Sequence, residues 1–370
     1  MKKIISVVAA VALFTLANCG SSGTSTPTAA PGLASCTAVA GSALVCGTVT
    51  ASDGTPIVSA DIKNVTGGSS SEMTGYYASV SKSTISSCLT DANGAFACAL
   101  STGGAYDFSI TATGMSKTFS ATLTADATTS VAASLTTLSG SDITAKWLVI
   151  MGSWDGVQLL LSQIKGCTLT GDSAHPESMT ASAACTAVNL DVQAASEVAT
   201  TFSALANLTP YSAIFINCGT DISAYATVVQ QYVAAGGHIY FSDLSDPGVT
   251  AAFPNKVTYD ASASTSTGTA VSTVNYANLA TYLGTSTINV EFDLIGWTAI
   301  DSVASGVTTY IKGDTSAIGG KVDAPLTVGW KQGTGGCVFY TSYHIEGAST
   351  GSNQEKALKY LILNISSVCQ

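Results

Sequence analysis

The apolar pattern changes period near Lys146, and no other feature narrows the fold as much. Over residues 44–140 the apolar residues come in short runs broken by turn residues. Leu44 to Thr50 is followed by Ser52-Asp53-Gly54-Thr55-Pro56, then by alternation through Ile57, Val58, Ala60 and Ile62. Asp91-Ala92-Asn93-Gly94 marks a second turn before Ala95 to Leu100. Tyr106 to Thr111, Thr118 to Leu123 and Val131 to Leu135 complete a set of short predicted strands. Beyond Lys146 the runs become unbroken apolar stretches, as strands covered on both faces require. Trp147 to Met151, Val188 to Val192, Ala213 to Asn217, His238 to Phe241, Leu326 to Trp330 and Cys337 to Tyr343 are the predicted strands. Helical spacing falls at Gly156 to Ile164, Ala199 to Leu208, Ala224 to Ala235 and Asn353 to Asn364. Strand and helix alternating with short links predict an open parallel sheet with helices on both faces, here over residues 141–370. A Ser/Thr-rich insertion at about 253–325 interrupts it, as a lid over the sheet or as decoration of its edge.

The N-terminus predicts export. Lys2 and Lys3 precede an apolar run from Ile4 to Leu16, long enough for a signal-peptide core and too short to span a bilayer. It ends in Leu16-Ala17-Asn18-Cys19-Gly20, which resembles the lipobox of bacterial lipoproteins, with Asn18 where that motif usually has Gly, Ala or Ser. The resemblance implies that residues 1–19 are a lipoprotein signal, that Cys19 is acylated, and that 20–43 are a flexible tether. The chain would then sit on the cell envelope through a lipid anchor, and Gly20 in place of Asp fits the outer membrane or cell surface.

Composition removes several functions. All 13 residues of the Lys+Arg count are lysine and the formal net charge is -10. Without arginine's planar fork, an acidic chain is a poor binder of nucleic acid or of nucleotides. Ten cysteines in an exported chain point to disulfides. With Cys19 acylated nine remain, so at least one thiol is unpaired or joins another chain. Cys88 and Cys98 flank the second predicted turn and are the first candidate pair. Cys36 with Cys46 and Cys167 with Cys185 follow, and the connectivity stays open.

Two further resemblances cover most of the exported chain. Val45-Cys46-Gly47-Thr48-Val49, Asp53-Gly54-Thr55-Pro56-Ile57, Thr90-Asp91-Ala92-Asn93-Gly94-Ala95-Phe96 and Gly104-Ala105-Tyr106 resemble the carboxypeptidase regulatory-like domain, a transthyretin-like β-sandwich without catalysis. This implies a β-sandwich over 44–140 that serves as a spacer or an interaction surface. Residues 141–370 resemble the flavodoxin-like α/β fold of class I glutamine amidotransferases. The resemblance rests on the helix before Gly236-Gly237, the strand His238-Ile239-Tyr240-Phe241, and Gly335-Gly336-Cys337-Val338-Phe339-Tyr340-Thr341-Ser342-Tyr343-His344-Ile345-Glu346.

In active members of that family a cysteine at a strained turn after the central strand is activated by a His-x-Glu pair. His344 and Glu346 fit the pair, but the turn here reads Ser242-Asp243-Leu244-Ser245, with no cysteine. A hydrolase or amidotransferase-like enzyme would need Ser242 or Ser245 as nucleophile. The alternative is a non-catalytic recognition module, which the absence of small elbow residues favours. Cys218 also follows a strand, and disulfide pairing is its simpler role. The crevice beyond the carboxyl ends of the strands is predicted to gather Trp154, Asp155, Cys218, Asp243, Tyr343, His344 and Glu346. Carboxylates beside aromatic rings suit a neutral, hydroxyl-rich ligand such as a glycan, or another envelope protein. The histidines are scattered and no Gly-rich phosphate loop follows the first strand, so neither a metal nor a cofactor is expected.

Overall fold

The computed structural model describes residues 36–369 apart from 38–39, 67–72, 76–82, 86–87, 113, 173–174, 261–265 and 346–350. The signal, Cys19 and Glu346 lie outside the described residues.

The N-terminal strands form two larger sheets. One has the order Thr128–Ser130, Ala43–Thr48, Ala95–Leu100, Met73–Gly75, Ser83–Ile85; the other Cys88–Leu89, Asp61–Asn64, Gly104–Ala112, Met115–Leu123. Both send apolar side chains into one core, where Phe119 stacks on Phe108 at 5.0 Å and meets Phe96 of the other sheet at 6.4 Å. The turn predicted at Asp91 forms because its carboxylate accepts the N–H of Asn93 and of Ala95, at 2.8 and 2.9 Å. Gly94 is required there: φ is +71° and a Cβ would lie 2.3 Å from the Val49 carbonyl oxygen. The strand predicted at Val131 to Leu135 does not form. Ala132 to Leu135 are exposed, and the Thr137 hydroxyl donates to the Ala133 carbonyl at 2.9 Å around a short helix, Ala133–Thr136. The edge strand is Thr128–Ser130 instead, parallel to Ala43–Thr48.

The cysteines pair as Cys36–Cys46, Cys88–Cys98, Cys167–Cys185 and Cys337–Cys369, with Cα atoms 6.2, 5.8, 5.1 and 6.0 Å apart. Cys88–Cys98 joins the two N-terminal sheets. The fourth pair, not anticipated from the sequence, ties the last strand to the chain's end. Cys218 is free and buried, against the expectation of a disulfide.

From Trp147 onward a nine-stranded sheet dominates, in the order Leu190–Gln193, Trp147–Ile150, Ala213–Ile216, His238–Ser242, Cys337–Thr341, Ala324–Lys331, Thr308–Gly313, Gly268–Val274, Thr287–Phe292. The first five strands are parallel, with the second strand outside the first as in flavodoxin-like sheets. Alternate residues face two cores. Val149, Phe215, Tyr240 and Phe339 pack with the helices Val157–Lys165 and Asn353–Leu363, whereas Ile150, Ile216, Phe241 and Val338 pack with Ala226–Ala234 and Asp246–Ala252.

Two expectations need correction. The sheet is mixed, because the insertion neither covers it as a lid nor merely decorates it. Its strands add an antiparallel extension through Ala324–Lys331, and they carry residues back to the crevice. The helix predicted at Ala199 to Leu208 breaks into Val198–Thr201 and Leu205–Leu208, because Ser203 and Asn207 side chains bond the Thr200 carbonyl at 2.7 and 3.0 Å between them.

Buried polar bonds join the N-terminal sheets to the large one. Asn364, 2% exposed, accepts the Val58 N–H at 2.7 Å and donates to the Pro56 carbonyl at 3.1 Å. Lys165 holds the connecting segment, donating to the Ile143 and Ala145 carbonyls at 3.0 and 2.6 Å with its ammonium 4.5 Å from the Trp147 ring. That segment in turn bonds Gly114 and bridges Met115.

Candidate functional site

Parallel strands deliver their following loops to one edge, and here four loops meet. The loop after Trp147–Ile150 approaches that after Ala213–Ile216 so closely that a Cβ on Gly152 would lie 2.0 Å from the Cys218 carbonyl oxygen. Asp155 in the first loop is fully buried. It accepts the Ile345 N–H at 3.1 Å and faces that of Cys218 at 3.5 Å, which fixes the first, second and last of these loops together.

Asp243 takes the strained position after the central strand. Its φ is +42°, a region Asp tolerates better than most residues with a side chain. The turn thus forms without glycines, and its apex is Asp243 rather than either serine. Tyr340 donates to the Asp243 carbonyl at 2.9 Å, and the Thr298 N–H donates to its Oδ1 at 2.7 Å. Its Oδ2 lies 3.4 Å from His344 Nδ1 and 3.5 Å from Cys218 Sγ. On the ring's other side Asp293 Oδ1 lies 2.8 Å from Nε2, ion-pair distance but off the axis of a well-aligned hydrogen bond.

These contacts set the protonation states. Burial alone would push the His344 imidazole down, but Asp243, Asp293 and Cys218 outweigh it and hold it far above its ordinary value. The ring is therefore an imidazolium at neutral pH and cannot take a proton as a general base. Burial pushes the Cys218 thiol up to about 11, partly opposed by His344, so the thiolate is scarce. Burial also raises the Asp155 carboxyl, against the pull of His344 and its hydrogen-bond donors.

The structure therefore brings Asp155, Cys218, Asp243 and His344 together. Neither Ser242 nor Ser245 is hydrogen-bonded to His344. Ser245 donates to the Ser242 carbonyl at 2.8 Å, and the buried Ser242 hydroxyl, beside Asp155, has no well-aligned partner. Tyr343 is not a crevice residue: it is buried in the core, bonded to Thr327 at 2.8 Å. Trp154 stands at the rim, 46% exposed. Asp293 and Thr298 come from the insertion and were not foreseen. The alternation Thr287-Ile288-Asn289-Val290-Glu291-Phe292 is a strand signal that ends at Asp293, and it was the one available clue. One ligand atom from each of Cys218, Asp243 and His344 lies within 4.8 Å of the others, a donor set able to hold a metal ion.

No protein-family model and no curated protein matches the chain. Solved structures are similar to it only distantly. A candidate GMP synthase protein from Thermoplasma acidophilum shares 10% identity, with a TM-score of 0.38, over 60% of this chain and 95% of its own. A cytoplasmic protein from Salmonella typhimurium shares 13% at a TM-score of 0.40, over 59% of this chain and 97% of its own. A β-galactosidase from Bacillus circulans sp. alkalophilus shares 13% at 0.33, with 60% of this chain against 31% of that one. These likenesses are too distant to bear on activity.

Proposed function

We propose that the chain is an exported envelope protein, lipid-anchored through Cys19, whose N-terminal sheets form a transthyretin-like spacer and whose amidotransferase-like α/β half binds a ligand without catalysing a reaction. The observation that carries the non-catalytic reading is the occupant of the strained turn. Asp243 stands where an amidotransferase needs a cysteine, both its carboxyl oxygens face protein donors, and the neighbouring His344 is already protonated. The leader, the tether and four disulfides support export. Among the described residues no helix is long and apolar enough to cross a membrane. A glycan or another envelope protein, meeting the crevice rim at Trp154, is the partner class that fits this reading.

A second reading has one observation in its favour. Cys218 lies beside His344, whose far nitrogen faces Asp293, the order of groups in a thiol hydrolase. Against it stand the buried neutral thiol and the Asp243 carboxyl, which faces both the thiol and the ring. A panel of ester, amide and glutamine substrates, with an electrophilic thiol probe, separates the two. The binding reading expects no turnover and no Cys218 labelling, and turnover abolished by Cys218→Ser or His344→Ala would replace it. For the anchor, Cys19→Ala should shift the protein from the membrane to the soluble fraction. Unchanged fractionation with no acyl mass on the N-terminal peptide would remove the lipid.

A further inference from the structure

We propose that Cys218, Asp243 and His344 form a site for one divalent transition-metal ion of the zinc type. The inference rests on reading the crevice as a binding site, and it names what the innermost part of that crevice takes. The three donors sit on loops following three neighbouring parallel strands, Ala213–Ile216, His238–Ser242 and Cys337–Thr341, and their ligand atoms lie within 4.8 Å of one another. Sulfur, carboxylate oxygen and imidazole nitrogen are together the donor set zinc and cobalt(II) prefer, whereas magnesium and calcium call for oxygen alone.

Four further features fit an ion. Cys218 is the one cysteine among those described that forms no disulfide, yet its fully buried sulfur faces a carboxyl oxygen rather than apolar side chains. Three carboxyl groups, Asp155, Asp243 and Asp293, lie around a single imidazole, an acidic setting that attracts a cation. The outer contacts orient the ligands. The Thr298 N–H holds Asp243 Oδ1 and leaves Oδ2 for the ion, and Asp293 faces His344 Nε2 while Nδ1 faces the other donors. Lastly, the Asp293 side chain is 37% exposed, while those of Asp243 and His344 are 1% and 3% exposed, so Asp293 is where an ion enters. Three protein ligands leave the fourth tetrahedral position to water. On binding, the Cys218 thiol and the His344 Nδ1–H each release a proton to solvent, so affinity rises with pH.

The test uses the full chain, exported so that its disulfides form, stripped with a chelator and titrated with cobalt(II). One equivalent should bind, with a thiolate-to-cobalt charge-transfer band in the near ultraviolet that zinc abolishes. Cys218→Ser, shown folded by circular dichroism, should lose the band. Asp293→Asn should keep it and weaken affinity by about 10–100-fold. No band in the parent chain, or an equal band in folded Cys218→Ser, overturns the site. If Cys218→Ser does not fold, Asp293→Asn decides, and unchanged affinity overturns the assignment. Failure to bind metal in a protein that also turns over no substrate would refute the ion and leave the binding module standing. Substrate turnover by the stripped chain would refute the module itself.

Discussion

Both halves of the molecule bury an aspartate, and they use it in opposite ways. Asp91, in the N-terminal sheets, accepts two N–H groups of its own turn, from Asn93 and Ala95. Both of these bonds close within four residues of chain. Asp243 accepts one backbone N–H, from Thr298, and turns its second oxygen toward an imidazole and a thiol. The ion pairs differ in the same sense. Lys63–Asp61 of the N-terminal sheets keeps 42% and 26% of its side chains in solvent, whereas His344–Asp243 keeps 3% and 1%. Burying charged groups costs several kcal/mol each unless they are compensated, so a fold that needed only stability would place them as the N-terminal half does. The cluster at the carboxyl ends of the parallel strands is there for something other than holding the chain together.

His344→Ala is the strongest way to break this comparison. It removes the cation between Asp243 and Asp293 and leaves buried carboxyl groups without it, so the metal-free protein should lose about 3–5 kcal/mol in urea unfolding. The pH dependence has a defined sign. The folded-state imidazole titrates far above its unfolded value of 6.5, so its contribution is fully present below that pH and is lost as pH rises through the folded value. The gap between parent and variant should therefore be widest in mild acid and narrow on the alkaline side. A loss under about 1 kcal/mol, or a gap that widens with alkali, would mean that the ring is not a buried imidazolium.

The next effect tests whether the halves are energetically one body. Asn364→Ala strips the Val58 N–H and the Pro56 carbonyl of buried partners, which should lower stability by about 1–3 kcal/mol. All four tryptophans lie in the α/β half, at 147, 154, 297 and 330, so their fluorescence reports that half alone, while far-ultraviolet circular dichroism reports both. The two transitions should coincide in the parent and separate in the variant. Separate transitions already present in the parent would show that the junction does not couple the halves.

Much of this architecture is legible in the sequence because it follows from local pattern. The unbroken runs at Trp147, Ala213, His238 and Cys337 identify strands buried on both faces, and the helices between them force parallel order. That order alone places Asp155, Cys218, Asp243 and His344 at one edge. What the sequence conceals is set by pairings distant along the chain. The antiparallel register of Ala324–Lys331 against Cys337–Thr341 brings the insertion alongside the sheet, and only that register carries Asp293 and Thr298 to His344 and Asp243. No spacing motif announces a metal-type donor set whose members lie 25 and 101 residues apart. The strain at Asp243 is likewise invisible, because the sequence-level rule for such turns asks for small neighbours and this turn lacks them. The Cys337–Cys369 pair is hidden by the helices that separate its members.

The smallest effect sharpens the contrast from the other side. Lys63 and Asp61 approach to 2.7 Å, closer than any contact His344 makes, and a reading by distance alone would rank this pair as the stronger one. Solvent reverses that ranking. Water reaching the partly exposed ammonium and carboxylate screens their attraction, and holding a long lysine side chain in one geometry costs entropy, so such pairs contribute about 0–1 kcal/mol. Lys63→Ala should therefore change the urea midpoint by no more than that, and the difference should shrink further as salt is raised toward 1 M, where the screening length falls to about 3 Å. The His344→Ala loss, seated against the Asp243 carboxyl that is only 1% exposed, should persist under the same salt. If the two variants responded to salt alike, the cluster would be solvated in solution, and burial could no longer separate the halves of the molecule.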